Sequence, residues 1–472
     1  MEKGQDIAAS DERPEQHAID VGHVEHGDGK GQDTENERVT VAEEVQKKCR
    51  RVAALDDFRG LTIVLMILVD DGGGAYERID HSPWNGCTLA DFRVPNISAA
   101  VKKITLRTLK MLFWGVLLQG GYSHAPDGLS YGMDMKKIRW CGILQKALVY
   151  FVVALIEAFT IKVRPTMVRS GPCTIFDACR WQWLGGFIGH RLCHILDHNI
   201  YIVTTFSLYV LDWSFVYHND DVNDGKQFTV QCGVGASLDQ ACNAVGYVDR
   251  KVWGINHLYT QPVWIRSKDC TFSSPNMGPL RADAPAWCLA PFEPEGLLSS
   301  ISSILSGTIG IHYGHVLIHF KTHKERLKHW LVMGFSLLAL GILLHFTKAL
   351  PINKQLYSFS YVCFTGGGAG IVLSAFYLQI DVWGLRTPFL FLEWIGMNAM
   401  LVFVLGAQGI LAAFVNGWYY ESPENSLVHC IVKHAFVNVW HSQRLGTLLY
   451  VIFCEIVFWG VAASVLHKLG IY

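Results

Sequence analysis

The chain has 472 residues, 40 basic and 41 acidic; 17% are charged, while AVILMFWYC reach 50%. An ordinary soluble domain is about 25% charged, so this composition excludes a disordered chain, a collagen and a small disulfide scaffold, and the net charge of −1 excludes a broad basic footprint for nucleic acid. A mean hydropathy of +0.23 leaves a membrane protein or an unusually apolar enzyme.

Residues 1–50 are rich in Asp, Glu, Gln and His and hold no apolar run that could nucleate a core or serve as a secretory signal. They read as a disordered cytosolic tail, with His17, His23 and His26 as solvated residues. From residue 51 onward, apolar stretches of bilayer length recur. They run from Leu106 to Tyr122, Gly142 to Thr160, Ile200 to Tyr217, Leu297 to Phe320, Trp330 to Phe346, Leu356 to Ile380, Phe389 to Val415 and Thr447 to Leu466. Arg59 to Val69 is only about 17 Å of helix and needs Val52–Leu55 or Gly72–Tyr76 to cross. The expected fold is an all-α polytopic transmembrane bundle of about 8–10 spans over 51–472.

Short-loop Lys and Arg set orientation. Lys47, Lys48, Arg50 and Arg51 place the amino terminus in the cytosol. Three further basic clusters lie at 102–110, 162–180 and 321–328, whereas Asp70–Asp91 is acidic and faces away. Of thirteen cysteines, Cys232, Cys242, Cys270 and Cys288 fall in the one long polar loop, 219–296. That grouping predicts two disulfides in an oxidising lumen. Zinc is disfavoured because no C-x₂₋₄-C pair occurs, and most of the other cysteines read as packing residues. Gly366-Gly367-Gly368, inside an apolar span, reads as a close helix contact. Phosphate-loop, dinucleotide, HExxH and GxSxG elements do not occur.

One segment carries chemistry. Asp57-Phe58-Arg59-Gly60 is followed by Asp70-Asp71-Gly72-Gly73-Gly74 and by His81-Ser82-Pro83-Trp84-Asn85-Gly86. Acids at the end of an apolar span are costly and mark a candidate site. An imidazole there can take a proton from an incoming nucleophile or receive an acyl group. By itself the residue pattern favours an ordinary interfacial loop histidine beside a Trp.

The run from Arg51 to Phe92 resembles the opening of the heparan-α-glucosaminide N-acetyltransferase family in a plant-like form. The resemblance continues through Ile138–Gln145, Gly246–Arg250, Gly254–Tyr259, Pro294–Leu298, Asn353-Lys354 and Glu393–Asn398. It implies a transporter-like bundle of a lysosome- or vacuole-type endomembrane. The bundle would move acetyl from cytosolic acetyl-CoA, as cosubstrate, to a luminal amino sugar or similar glycan acceptor. The active histidine matches His81, and a key Asn of the animal enzymes falls at Asp70. Trp84, Asn85 and Asp71 are candidate acceptor contacts, and Lys102, Lys103 and Arg107 candidate contacts for CoA phosphates. The expected partners are the lipid bilayer and a small acceptor, with no nucleic acid; a homo-oligomer is compatible with this reading. An acetyl-His81 intermediate and direct attack with His81 as base both fit. A solute transporter without covalent catalysis, and an inactive variant, are the alternatives.

The resemblance breaks after Leu89-Ala90-Asp91-Phe92, where about twenty residues, about one crossing, are missing. Strict counting then places the cysteine loop on the cytosolic face, against its composition; alternatively Leu106 to Tyr122 fails to cross, or a neighbour is re-entrant. The break also bears on Asn96-Ile97-Ser98, the sole N-x-[ST] sequence, which becomes a glycan acceptor if it is luminal. A polar insertion at 190–199 and a one-residue shortening at Gln145-Lys146-Ala147 are further departures.

Overall fold

The computed structural model describes residues 53–72, 101–117, 119, 135–142, 144–146, 148–149, 151–153, 182–186, 210–217, 225–233, 239–274, 278–407, 418–422 and 425–470. His81, Trp84, Asn85 and Asn96, the N-terminal tail and the insertion at 190–199 lie outside them. Among the described residues helices dominate, and the only sheet is a two-stranded ribbon.

Helix α1, Ala53–Gly72, has 20 residues, about 30 Å. The short apolar run reaches bilayer length by recruiting the turn before it, as the sequence suggested. Helix α2, Val101–Leu117, starts ahead of its expected position and has 17 residues. Residues 135–142 and 144–146 are turns and extended chain, and helix is present at 148–149 and 151–153, so the span expected from Gly142 does not begin there. The expected span Ile200–Tyr217 needs correction at its end: Trp213–Val216 is strand β1, antiparallel to β2, Gln227–Val230. Its Trp, Phe and Val suit a half-buried strand as well as a span, and the ribbon resolves the ambiguity.

This ribbon opens a small disulfide unit that includes helix α3, Ala244–Val252. Cys232 bonds Cys242, and Cys270 bonds Cys288, so the two expected disulfides are present. Phe215, Val230, Trp264, Leu289 and Phe292 form its core. Trp264 is 1% exposed, and its indole N–H donates to the Trp287 carbonyl at 2.9 Å.

Among the described residues, four helices are long and apolar enough to cross a membrane: α4, Leu297–His319; α5, His323–Phe346; α6, Phe359–Val382; and α9, Gln443–Lys468. Helix α4 is the most enclosed, and α5 turns most of its surface outward. Helices α5 and α6 pack through glycine: a Cβ on Gly367 would lie 2.5 Å from the Leu338 nitrogen and 2.6 Å from the Gly334 carbonyl. The reading of the triple glycine as a close helix contact holds. Helix α7, Leu390–Met397, is broken at Asn398 and resumes over Ala399–Val402 and a π turn, Phe403–Ala407. The sequence did not single out α8, Leu427–Trp440, because His429, Lys433 and His434 interrupt its apolar run. Cys430 on α8 is exposed, unlike an ordinary packing cysteine.

The ends of the bundle follow from these contacts. Helix α4 starts at the disulfide unit, where Asp249 of α3 accepts from the Leu297 N–H at 2.8 Å. It finishes in a core with Ala54, Phe58, Phe320 and Trp330. Helix α1 therefore begins at the end remote from the disulfides. Further along it, Met66 packs with Trp114, Leu144, Phe403 and Val404. Leu144 is five residues from Arg139, which is bonded to Glu293 beside the disulfide unit. Helix α1 thus ends on the disulfide side, which agrees with the composition of the cysteine loop and not with strict span counting.

Candidate functional site

The separated segments that carried the resemblance converge where the disulfide unit meets the bundle. Arg139, on the extended chain 138–139, is held by Gln119: its N–H donates to the Gln119 side-chain oxygen at 2.9 Å, and its carbonyl accepts from the Gln119 amide at 2.8 Å. Its guanidinium forks onto Glu293, with Nε to Oε2 at 2.6 Å and a second bond to Oε1, and reaches Glu295 Oε2 at 2.8 Å. Tyr259 lies under the same guanidinium, 4.8 Å from ring centroid to Cζ. Lys146 stands 3.9 Å from Glu295 and 4.8 Å from the Tyr357 ring centroid.

His257 faces the same segment. Its Nδ1 is 2.6 Å from the Ile138 carbonyl, which only accepts, so Nδ1 donates. In the neutral ring the Nε2 lone pair is then left as an acceptor. Trp140 packs beside this imidazole at 6.0 Å between centroids. Asn353 turns the chain into α6, its side chain accepting from the Leu356 N–H at 2.9 Å.

Burial shapes the charges of this hub. It drives the Asp249 carboxyl up to about 7, against the Leu297 N–H, Arg250 and Lys146, which favour the ionised form. A Cβ on Gly296 would meet Asp249 Oδ2 at 1.8 Å, so glycine is needed for this capping contact. Burial also raises Glu293, and the Arg139 fork pulls it back. For Arg139, burial opposes the charge, but the hydrogen bond and charge of Glu293, together with Glu295, raise it further above its ordinary range. The Cys141 thiol is pushed up to about 12 by burial and by Glu293 and Asp249, so it is a poor nucleophile. The hub is a neutralised ion-pair cluster that fixes the segment carrying Trp140 against α3 and the start of α4.

A second cluster lies at the far end, where Asp57-Phe58-Arg59-Gly60 crosses Glu393–Asn398. A Cβ on Gly60 would fall 1.8 Å from the Leu392 carbonyl, and one on Gly396 1.9 Å from the Asp56 carbonyl. Arg59 donates to the Gly396 carbonyl at 3.0 Å, and Arg386 binds Glu393 through two nitrogens. Asp57 is fully buried, and among the described residues neither of its carboxylate oxygens has a hydrogen-bond partner. Within α4, His312 Nδ1 accepts from the Trp183 indole at 3.2 Å, which fixes its neutral tautomer with the proton on Nε2.

Asp70 and Asp71 occupy the last turn of α1, one turn beyond Met66 and therefore at the hub end. Lys102, Lys103 and Arg107 lie in the first half of α2. His81, Trp84 and Asn85 lie outside the described residues. Singling out residues one by one missed Arg139, Lys146, Glu293, Glu295, His257 and His312. The signal that reaches the first five is the order of short motifs containing or flanking them, since no one of them stands out by type.

Over 451 residues the chain is 27% identical to heparan-alpha-glucosaminide N-acetyltransferase of Mus musculus, covering 88% of this chain and 61% of that protein. The Homo sapiens protein of the same name is 26% identical over 447 residues, covering 87% and 60%. The chain is related to these N-acetyltransferases. It spans about 60% of their length. No family model matches it. The similarity extends through the segments that build the hub, so the convergence of these segments is a property of the related part of the chain.

Proposed function

We propose that this protein is a multi-pass endomembrane acetyltransferase that passes acetyl from acetyl-CoA on one face to an amino-sugar or similar acceptor on the other. The observation that carries this reading is the convergence of Ile138–Lys146, Gly246–Tyr259 and Pro294–Leu298 in one cluster, at the end of the bundle where α1 delivers Asp70, in a chain related to N-acetyltransferases. His81, eleven residues beyond Asp70, is the proposed reactive centre and Asp70 its nearest supporting acid, with Asp71, Trp84 and Asn85 as acceptor contacts. CoA is large and polyanionic, whereas acetyl is small, so a site reachable from both faces suits the transfer.

The chemistry balances in either order. In direct transfer the acceptor amine attacks the thioester carbonyl, His81 takes the amine proton, and CoA leaves as a thiol once it recovers a proton. In the two-step route His81 displaces CoA to form an acetyl-imidazole, which the amine then opens. Lys102, Lys103 and Arg107 are contacts for the CoA phosphates only if the start of α2 reaches the face opposite the disulfides.

The test is acetyl transfer across sealed vesicles holding the purified chain, with labelled acetyl-CoA outside and glucosamine inside. Acetylated glucosamine should accumulate, and His81→Ala should lower its rate at least about a hundredfold. Undiminished acetylation by the variant sinks the site assignment. Movement of glucosamine without acetylation would instead mark a transporter.

A further inference from the structure

Helix α1 finishes on the disulfide side of the bundle, and the chain is again on that side at Arg139. The stretch 73–137 must therefore cross the membrane an even number of times. Two crossings would require one within 73–100. That sequence carries Glu77, Arg78, Asp80, Asp91 and Arg93, and its longest uncharged run, His81–Ala90, makes only about 15 Å of helix. The hydrocarbon core is about 30 Å thick, and charged side chains at its centre strongly oppose insertion.

Helix α2 fits no crossing either. Its 17 residues are about 25 Å long, and Lys102, Lys103, Arg107 and Lys110 occupy the first ten positions. Among its described side chains, those of 108–117, apolar groups face outward from the middle of the helix onward: Leu109 is 57% and Phe113 62% exposed, and Met111, Val116 and Leu117 are also exposed. Leu109–Leu117 covers only about 13 Å along the axis. Its described packing is at the hub end, with Trp114 against the Met66 cluster and Gly115 against Leu144 and Gln145. The side chain of Gln119, just past the helix, bonds Arg139.

We infer that α2 does not span the bilayer but is seated in the leaflet on the disulfide side, its basic half among lipid headgroups and its outward Met111–Leu117 face in the acyl layer. The occupant of the exposed face is lipid. A helix with cations at one end and a short outward apolar stretch is held in this way by shallow insertion, with its cations beside headgroup phosphates. Lys and Arg usually stay on the cytosolic face, but that bias opposes four cations at headgroup depth, whereas a second crossing of about 20 residues within 73–100 would draw at least two charges, Asp91 and Arg93 in the least charged case, through hydrocarbon. With this seating Lys102, Lys103 and Arg107 cannot meet a donor that arrives on the face opposite the disulfides.

Single-cysteine reporters in the full-length chain test this, with the free cysteines replaced and both disulfides kept. Lys103→Cys and Lys110→Cys are the probes. Lys251→Cys on the disulfide unit and Lys324→Cys at the far end are exposed references. In sealed microsomes an impermeant maleimide should label Lys324→Cys at once. It should label Lys251→Cys, Lys103→Cys and Lys110→Cys at least tenfold more after permeabilisation. Labelling of Lys103→Cys in intact vesicles together with Lys324→Cys overturns the inference, as does a Lys103→Cys that stays unlabelled after permeabilisation. Neither readout involves acetyl transfer, so its failure and the failure of the catalytic reading are distinguishable.

Discussion

Arg139 illustrates how much rests on one side chain at the hub. It pairs with Glu293, whose side chain is fully buried, and with Glu295, and it stacks on Tyr259. Removing one partner of a buried pair leaves an uncompensated charge, which costs about 3–5 kcal/mol, whereas replacing both by apolar groups is often neutral. Arg139→Met should therefore lower the thermal midpoint of the detergent-purified protein sharply, and Arg139→Met with Glu293→Leu should recover at least half of the loss. Asp249 gives a pH-dependent counterpart. Its folded value of about 7 lies above the ordinary 3.8, so between those values the native state binds a proton that the unfolded chain releases. Its contribution is present in acid and lost as pH rises through about 7, with a slope of up to about 1.4 kcal/mol per pH unit. The thermal midpoint should rise as pH falls from about 8 to 5, and this rise should be smaller in Asp249→Asn, which keeps an oxygen to cap Leu297.

At the scale of elements, glycine sets the spacing of helices at both crossings. Gly60 and Gly396 let α1 and α7 touch backbone to backbone, and Gly334 and Gly367 do the same for α5 and α6. In a bilayer the lipid is as apolar as the side chains, so such close approach supplies much of the association. Gly396→Val places a methyl-bearing carbon on the Asp56 carbonyl, and overpacking of this kind typically costs about 1–3 kcal/mol or more. The expected result is a lower thermal midpoint and lower recovery of folded protein in detergent, while Gly314→Ala, whose added Cβ would meet no atom within 4 Å, should be close to wild type. The triple glycine was legible in sequence because three glycines inside an apolar run have few other uses. Strand β1 was not: four residues of Trp, Ser, Phe and Val satisfy a span and a strand equally, and only pairing with Gln227–Val230 decides. Helix α8 escaped for the opposite reason, since its histidines and lysine break a run that tertiary contacts nevertheless fold.

For the whole molecule, the sequence pattern indicated a many-span bundle with a cysteine-bearing loop, because apolar run length and cysteine grouping are local properties. The hub was legible only as separated motifs, since an Arg at 139 and Glu residues at 293 and 295 meet through tertiary folding. Strict counting and loop composition disagreed about the side of the cysteine loop, because a count propagates one doubtful segment to everything after it, whereas the contacts of α1 and α4 place both ends together. Those contacts put Cys232–Cys242 and Cys270–Cys288 together at the end where α1 finishes and α4 begins. If that end faces an oxidising lumen, an impermeant phosphine added to sealed microsomes should leave both bonds intact, and the same reagent after permeabilisation should open them. The unit closes loops of 10 and 18 residues around a small core, and each bond should contribute about 2–4 kcal/mol through the unfolded state. Reduction after permeabilisation should therefore also expose the Phe215–Phe292 core to protease. Cleavage within 239–292 that appears in intact vesicles would place the unit on the outer face and reverse the orientation of the bundle.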